Sequence, residues 1–211
     1  MGVELGVAEG VFSDRMVKSG AFEIFYGIDK YTDKPWVTVE AYKRGLRKIV
    51  LQSPYRLLRM TFDEAYDLFE NESLDFIYVD GYAYTGENGG DIIYKWARKV
   101  KIGGVIAGDD YHSDWPLVIK AVDAFVQDHG FELFMTSKVE SSAYCGYPSW
   151  AVIKSKSADF DAPRELVRLG KRRAWQFRTK HLAIWGLIKF ARYCLGEDLL
   201  QKIKRMVRRR K

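Results

Sequence analysis

Val3-Glu4-Leu5-Gly6-Val7-Ala8-Glu9-Gly10 decides the fold: a short apolar run breaks into an E-x-G-x-x-x-G turn. A strand that runs through a glycine turn into a helix is how an open α/β sheet begins. At mid-chain, Gly103-Gly104-Val105-Ile106-Ala107-Gly108-Asp109-Asp110-Tyr111 reads as a second buried strand, led by glycines and ending in two adjacent carboxylates. Ligands of open α/β sheets bind beyond the carboxyl ends of the strands, near the point where strand order reverses. The two segments therefore aim a glycine turn and an acidic pair into one crevice. That pattern points to an enzyme with a nucleoside-type ligand and a metal.

Outward from these two segments, strand and helix patterns alternate. Residues 2–7 read as a strand and 11–19 as a helix stopped by Gly20, with a second strand from Phe22 to Ile28. A helix over Val37–Arg44 leads to marginal strand material at Ile49–Leu51 and Leu57–Met60. Thr61–Phe69 reads as a helix, with Thr61 as N-cap and Glu64 three residues on completing a capping box. Leu74–Val79 is a strand ending at Asp80, residues 91–100 are helical, and Val105–Ala107 forms the next strand. After a helix over Trp115–His129, strands at Phe131–Ser137 and Ser149–Lys154 close the pattern as an antiparallel pair. Such alternation predicts a doubly wound, mainly parallel α/β sheet with helices on both faces.

The 211 residues suffice for one full-sized core plus an appendage. No run of eighteen or more apolar residues argues for a spanning helix, and no basic-then-apolar leader precedes the first strand. Two cysteines, Cys145 and Cys194, are too few and too separated for a disulfide framework or a zinc site. The expectation is a cytoplasmic protein, with membrane association as the alternative. Charge divides the chain at residue 156. Residues 157–211 hold 16 Lys and Arg against 5 Asp and Glu, leaving 18 against 23 for residues 1–156. An acidic domain over 1–156 thus carries a basic helical extension over 157–211, and such asymmetry points to an anionic partner.

Glycines at 6 and 10 allow a tight turn and close backbone approach, yet neither the G-x-G-x-x-G fingerprint of dinucleotide-binding folds nor a P-loop is present. Asp29, nineteen residues beyond Gly10 at a strand end, is placed to bind ribose hydroxyls. Asp80, Asp109 and Asp110 end adjacent strands. Three converging carboxylates repel one another unless a cation is present, and an oxygen-only set suits Mg²⁺, Mn²⁺ or Ca²⁺. His112, beside the acidic pair, is a candidate general base. Gly86-Glu87-Asn88-Gly89-Gly90 reads as a flexible loop over the crevice. His129 and His181 read as structural.

On these residues the chain resembles the class I S-adenosylmethionine-dependent methyltransferases, over roughly residues 2–154. Glu4-x-Gly6-x-x-x-Gly10 is similar to that family's first motif. Asp75-Phe76-Ile77-Tyr78-Val79-Asp80-Gly81 resembles its fourth-strand motif. The Lys101–Tyr111 stretch resembles the "KPGG…DDY" strand of its metal-dependent small-molecule and sugar O-methyltransferase branch. The resemblance implies a seven-stranded Rossmann-like sheet with an antiparallel last strand. It places Glu4, Gly6, Gly10, Asp29, Thr61 and Asp80 around S-adenosyl-L-methionine, and Asp80, Asp109 and Asp110 on a divalent metal. The implied acceptor is a hydroxyl of a sugar, glycan or glycosylated small molecule. Relatives often carry a histidine three or four residues after the fourth-strand Asp, where this chain has Ala83 and Tyr84. Asp80 and Tyr84 therefore join His112 as candidate catalytic residues. A cofactor-binding module with impaired catalysis is one alternative, and an NAD-dependent oxidoreductase of Rossmann type another.

The extension has its own pattern. On a helix, Leu182, Trp185, Ile188 and Leu195 gather toward one side, between basic runs at Lys171-Arg172-Arg173 and Arg208–Lys211. Packing on the catalytic domain or homo-oligomerisation ranks first as its use. An anionic membrane surface ranks second. Nucleic acid ranks last, because the acidic body offers no continuous basic groove.

Overall fold

The computed structural model describes residues 1–32, 38–50, 54–137 and 146–179. Seven strands form one sheet in the order β3-β2-β1-β4-β5-β7-β6. The strands are β1 (Gly2–Leu5), β2 (Phe25–Ile28), β3 (Tyr55–Leu58), β4 (Leu74–Val79), β5 (Val100–Gly108), β6 (Phe134–Met135) and β7 (Trp150–Ile153). Pairings among β1 to β5 are parallel, whereas β7 runs antiparallel to both of its neighbours, β5 and β6. The expected doubly wound sheet with an antiparallel last strand is present.

Parallel strands buried on both faces read as near-continuous apolar runs, which is why the central segments lack alternation. Register sorts their side chains. Val3, Leu5, Ile77, Val79 and Ile106 face a core filled from α3 (Phe62–Tyr66), α5 (Asp91–Ala97) and α6 (Pro116–His129). On the opposite face, Phe25, Tyr55 and Phe76 pack with Phe12 and Met16 of α1 (Val11–Lys18) and with Ile49. Phe12 also stacks on Tyr78, with centroids 3.8 Å apart.

Several element boundaries differ from expectation. Ile49 is not strand material: α2 (Val39–Gly45) runs on into a π-helical turn over Leu46–Val50, which buries Ile49 against Phe25 and Tyr55. Strand β5 is longer than Val105–Ala107, because Val100 pairs with Leu74 of β4 ahead of a register shift and Gly108 pairs with Val79. Only Phe134–Met135 of the expected 131–137 strand makes a ladder. Thr61 caps α3 with the capping box expected from Glu64. One compact unit spans Met1–Lys171, and a second covers Arg172–Lys211. The first extends past residue 156, since Ala158, Ala162 and Leu166 are buried in its core. Backbone over 164–179 is helical, while the amphipathic 181–195 segment and the terminal basic run lie outside the described residues. Among the described residues, no helix is long and apolar enough to cross a membrane.

Candidate functional site

Backbone hydrogen bonds line up the carboxyl ends of the central strands. Asp29 N–H donates to Leu58 O (3.1 Å), Gly6 N–H to Ile28 O (2.9 Å), Asp80 N–H to Leu5 O (2.8 Å) and Asp109 N–H to Val79 O (3.1 Å). The glycine turn, Asp29, Asp80 and Asp109 therefore stand side by side along one sheet edge, across the β1/β4 boundary where strand order reverses.

Gly6 sits at φ +100°, where a Cβ would fall 2.0 Å from the Asp80 carbonyl oxygen. Only glycine lets β1 turn this close to β4. Gly10, at φ +72°, begins α1 with no room for a Cβ against Ile49. Asp29 is buried and holds the turn. Its Oδ2 accepts from Val7 and Ala8 N–H, each at 3.1 Å, and its Oδ1 accepts from Tyr31 N–H at 3.2 Å. A carboxylate has about four acceptor positions, so capacity for a ligand hydroxyl is left over. The Tyr31 hydroxyl donates to Ala8 O (2.9 Å) and braces the same turn. An acid with one acceptor position left at a strand end can take one hydroxyl of a sugar.

Beneath the turn lies a polar chain that the sequence reading missed. Ser13 donates to Glu4, and the Tyr55 hydroxyl contacts Ser13 Oγ at 2.8 Å, in space left by Gly27. Burial, reinforced by Asp29, pushes the Glu4 carboxyl up to about 8. Glu4 is thus a buried support under the turn. Only its nine-residue spacing to Ser13, across the turn into the first helix, hinted at the pair.

Asp80, Asp109 and Asp110 gather at the ends of β4 and β5 with Glu87. Desolvation and then Asp109, Glu4, Asp110 and Glu87 hold Asp80 well above the carboxylate range. Desolvation and Asp109 push Asp110 up to about 7, and burial raises Asp109. Ser149 Oγ donates to Asp109 Oδ1 (3.3 Å) and meets the Tyr78 hydroxyl (2.9 Å), a link from the residue before β7 that no local pattern announced. Asp110 has φ +65°, a left-handed conformation uncommon for a residue with a side chain. Among the described residues, no group of three or more His, Cys, Asp or Glu side chains is placed so that it could hold a metal ion. Even so, the donors are all carboxylates, which suit a hard divalent cation, and one buried oxygen, Glu87 Oε2, has no hydrogen-bond partner.

Glu87 corrects the expectation of a flexible loop at 86–90. After a 3-10 turn (Ala83–Thr85), α4 (Gly86–Gly89) is a single turn with positive φ at every residue, and Gly90 continues it. Thr85 Oγ1 accepts from Asn88 N–H (3.0 Å) and donates to Tyr82 O (2.7 Å). Leu117 O would lie 2.3 Å from a Cβ on Gly86, and Leu166 O 2.2 Å from one on Gly89. Glycines therefore let this turn pack tightly rather than move.

The remaining candidates occupy the rim. Tyr84 lies in the 3-10 turn, 6.5 Å from the Tyr82 ring, and Lys30 sits over Tyr82 at 5.3 Å. The Thr61 hydroxyl is engaged with Glu64 in the α3 cap. His112 Nδ1 accepts from Asp114 N–H (3.2 Å), and its ring lies 4.8 Å from that of Tyr147. The Asp114 carboxylate lies 3.6 Å from the same Nδ1.

A family profile described as a methyltransferase domain matches residues 3–111. No match is found among curated proteins. Solved structures share the fold at low identity. Cofactor-bound Rv0187 from MTB has a TM-score of 0.56 at 12% identity, covering 74% of this chain and 73% of its own. An O-methyltransferase from Bacillus cereus in complex with SAH gives 0.55 at 13%, covering 72% and 73%. TomG, an O-methyltransferase from Streptomyces achromogenes involved in tomaymycin synthesis and solved with SAM, gives 0.53 at 12%, covering 72% of each chain. The profile spans the glycine turn, Asp29, Asp80 and the acidic pair, and the chain belongs to the methyltransferase-domain family, with the fold of class I S-adenosylmethionine-dependent methyltransferases.

Proposed function

We propose that this chain transfers a methyl group from S-adenosyl-L-methionine to a hydroxyl of a sugar, glycan or glycosylated small molecule, with a divalent cation in the crevice. The observation that carries this reading is the single sheet edge where the Asp29-braced glycine turn meets the Asp80, Asp109 and Asp110 carboxylates. Family membership supports the transferase reading. Structural neighbours described as O-methyltransferases favour oxygen as the acceptor atom.

The sulfonium of the cofactor supplies an electrophilic methyl group, so the protein's task is in-line placement of a deprotonated acceptor. Asp29 would hold the ribose hydroxyls. The turn from Gly6 to Gly10 would carry the backbone against the cofactor. Asp80, Asp109 and Asp110 would hold Mg²⁺ or Mn²⁺, which lowers the pKa of a bound hydroxyl. Vicinal hydroxyls chelate such an ion, which favours a sugar-like acceptor. His112 would take the acceptor's proton, with Asp80 or Tyr84 as the alternative base.

Calorimetry with S-adenosylhomocysteine and NAD, followed by methyl transfer to a panel of sugars and catechols, tests the reading. Binding of the homocysteine compound and chelator-sensitive transfer to a sugar are the expected results. Binding of NAD alone overturns it. Cofactor binding with no transfer to any acceptor would instead indicate a module that has lost catalysis.

A further inference from the structure

We propose that one side of the helix over 164–179, a sector of cations with Trp175 at its centre, is a docking surface for an anionic lipid membrane; this is independent of the methyl-transfer reading above. Turning the residues of this helix by about 100° each separates two opposite sides. On one, Leu166 and Gly170 are buried, and Val167, Ala174 and Phe177 are half-buried. The other, roughly 120° wide, holds Arg164, Arg168, Lys171, Arg172 and Arg178 around Trp175, every one of them exposed. No acid lies within that sector. Glu165, just beyond its edge, reaches in to Arg168 at 3.0 Å, with both side chains mostly exposed. Among the described residues, none of the other four cations forms an ion pair. The positive charge of the sector is therefore left for a partner.

Trp175 says which partner. It is 66% exposed, and its neighbours one turn away on the helix surface are Lys171, Arg172 and Arg178. Leaving so large a ring in water is unfavourable unless a partner covers it. Indoles settle at the headgroup level of a bilayer, with the ring in the boundary and the N–H toward water. Cations spread around the ring, over about 21 Å of helix, then meet the anionic headgroups on every side of it. A second copy docked through the same sector would instead bring like charges face to face. A nucleic acid answers the cations but not the ring. A duplex keeps its bases stacked, and a single strand is bound along a groove, which the convex side of a helix does not offer.

The test floats the full chain with vesicles of phosphatidylcholine, with and without phosphatidylserine, at low and at high salt. Flotation with the phosphatidylserine vesicles at low salt is expected, with release by high salt and little binding to phosphatidylcholine alone. Replacing Lys171 and Arg172 together (Lys171→Glu, Arg172→Glu) should weaken vesicle binding by about tenfold or more. Trp175→Ala should weaken it by about tenfold and keep its salt sensitivity, whereas Trp175→Tyr should recover much of the loss. Glu165→Lys frees Arg168 and adds a cation at the sector's edge, so it should tighten binding; it carries the comparison should a charge reversal fail to fold. Thermal melts of every variant confirm folding. Wild-type vesicle affinity in the Lys171, Arg172 and Trp175 variants, or no gain in Glu165→Lys, overturns the role of this sector. The membrane assignment is overturned if wild type fails to float at low salt. It is equally overturned if these substitutions weaken binding to a DNA duplex or a single-stranded RNA, or dissociate a dimer, while vesicle binding stays unchanged.

Discussion

Gly6 and Gly20 both sit at positive φ, and the contrast between them shows what the glycine turn requires. At Gly20 a Cβ would meet nothing within 4 Å, whereas at Gly6 it would collide with the Asp80 carbonyl. Gly20→Ala should cost about 1 kcal/mol, the strain of a left-handed alanine, and leave S-adenosylhomocysteine binding intact. Gly6→Ala adds the collision and must push β1 from β4, so a loss of about 3 kcal/mol or more is expected, together with loss of cofactor binding. Urea denaturation and calorimetry on the two variants check this. The Gly6, Asp29, Asp80 and Asp109 positions were legible because each follows an apolar strand directly. Glu87 was not, since nothing in Gly86-Glu87-Asn88-Gly89-Gly90 distinguishes a loose loop from a left-handed turn. Only the tertiary clamp from Leu117, Leu166 and Gly170 does so. The contact of His112 Nδ1 with Asp114 N–H was equally hidden, because it depends on the turn that follows the acidic pair.

Among the elements, α4 is a single left-handed turn whose glycines pack against Leu117, Leu166 and Gly170. The Thr85 hydroxyl is fully buried and bridges Asn88 N–H to Tyr82 O. Thr85→Val keeps the shape and removes both bonds, and should destabilise the protein by about 1–2 kcal/mol, read as a lower Tm. The strands β1, β2, β4 and β7 were legible from apolar runs bounded by glycine or acid. Ile49 was misassigned because an isolated apolar triplet carries no period, and packing against Phe25 and Tyr55 drew it into a π-helical turn. The short β6 was overestimated for a related reason. Phe134 and Met135 are exposed, so apolar character there marks an edge rather than a buried strand.

For the whole molecule, the raised acids set the pH dependence of stability. Glu4 is pushed up to about 8 and Asp110 to about 7, with Asp80 and Glu87 also raised. The folded protein then keeps protons that the unfolded chain releases from about pH 4 upward. Their stabilising contribution is complete below the unfolded pKa and is lost as pH rises through the folded values. Metal-free protein should therefore weaken from about pH 5 to about pH 8.5, by about 1.4 kcal/mol per pH unit for each retained proton. Glu4→Gln should flatten part of this slope, and Mn²⁺ should remove the part due to the crevice acids. Urea midpoints across that range, with and without chelator, measure both effects. Below this window Asp75, held low by Lys101 and the chain's amino terminus, works in the opposite sense. The strand order β5-β7-β6 carries a different consequence, for the chain while it is being made. β6 leaves the ribosome before β7, its ladder partner among the described residues, and meanwhile the long β5 is still an open edge. At about 5–20 residues per second, the interval from residue 108 to residue 153 lasts roughly 2–9 seconds. Throughout that interval β5 is a template for any neighbouring nascent strand, so the pace of translation, rather than equilibrium stability, sets the exposure of this sheet to mispairing.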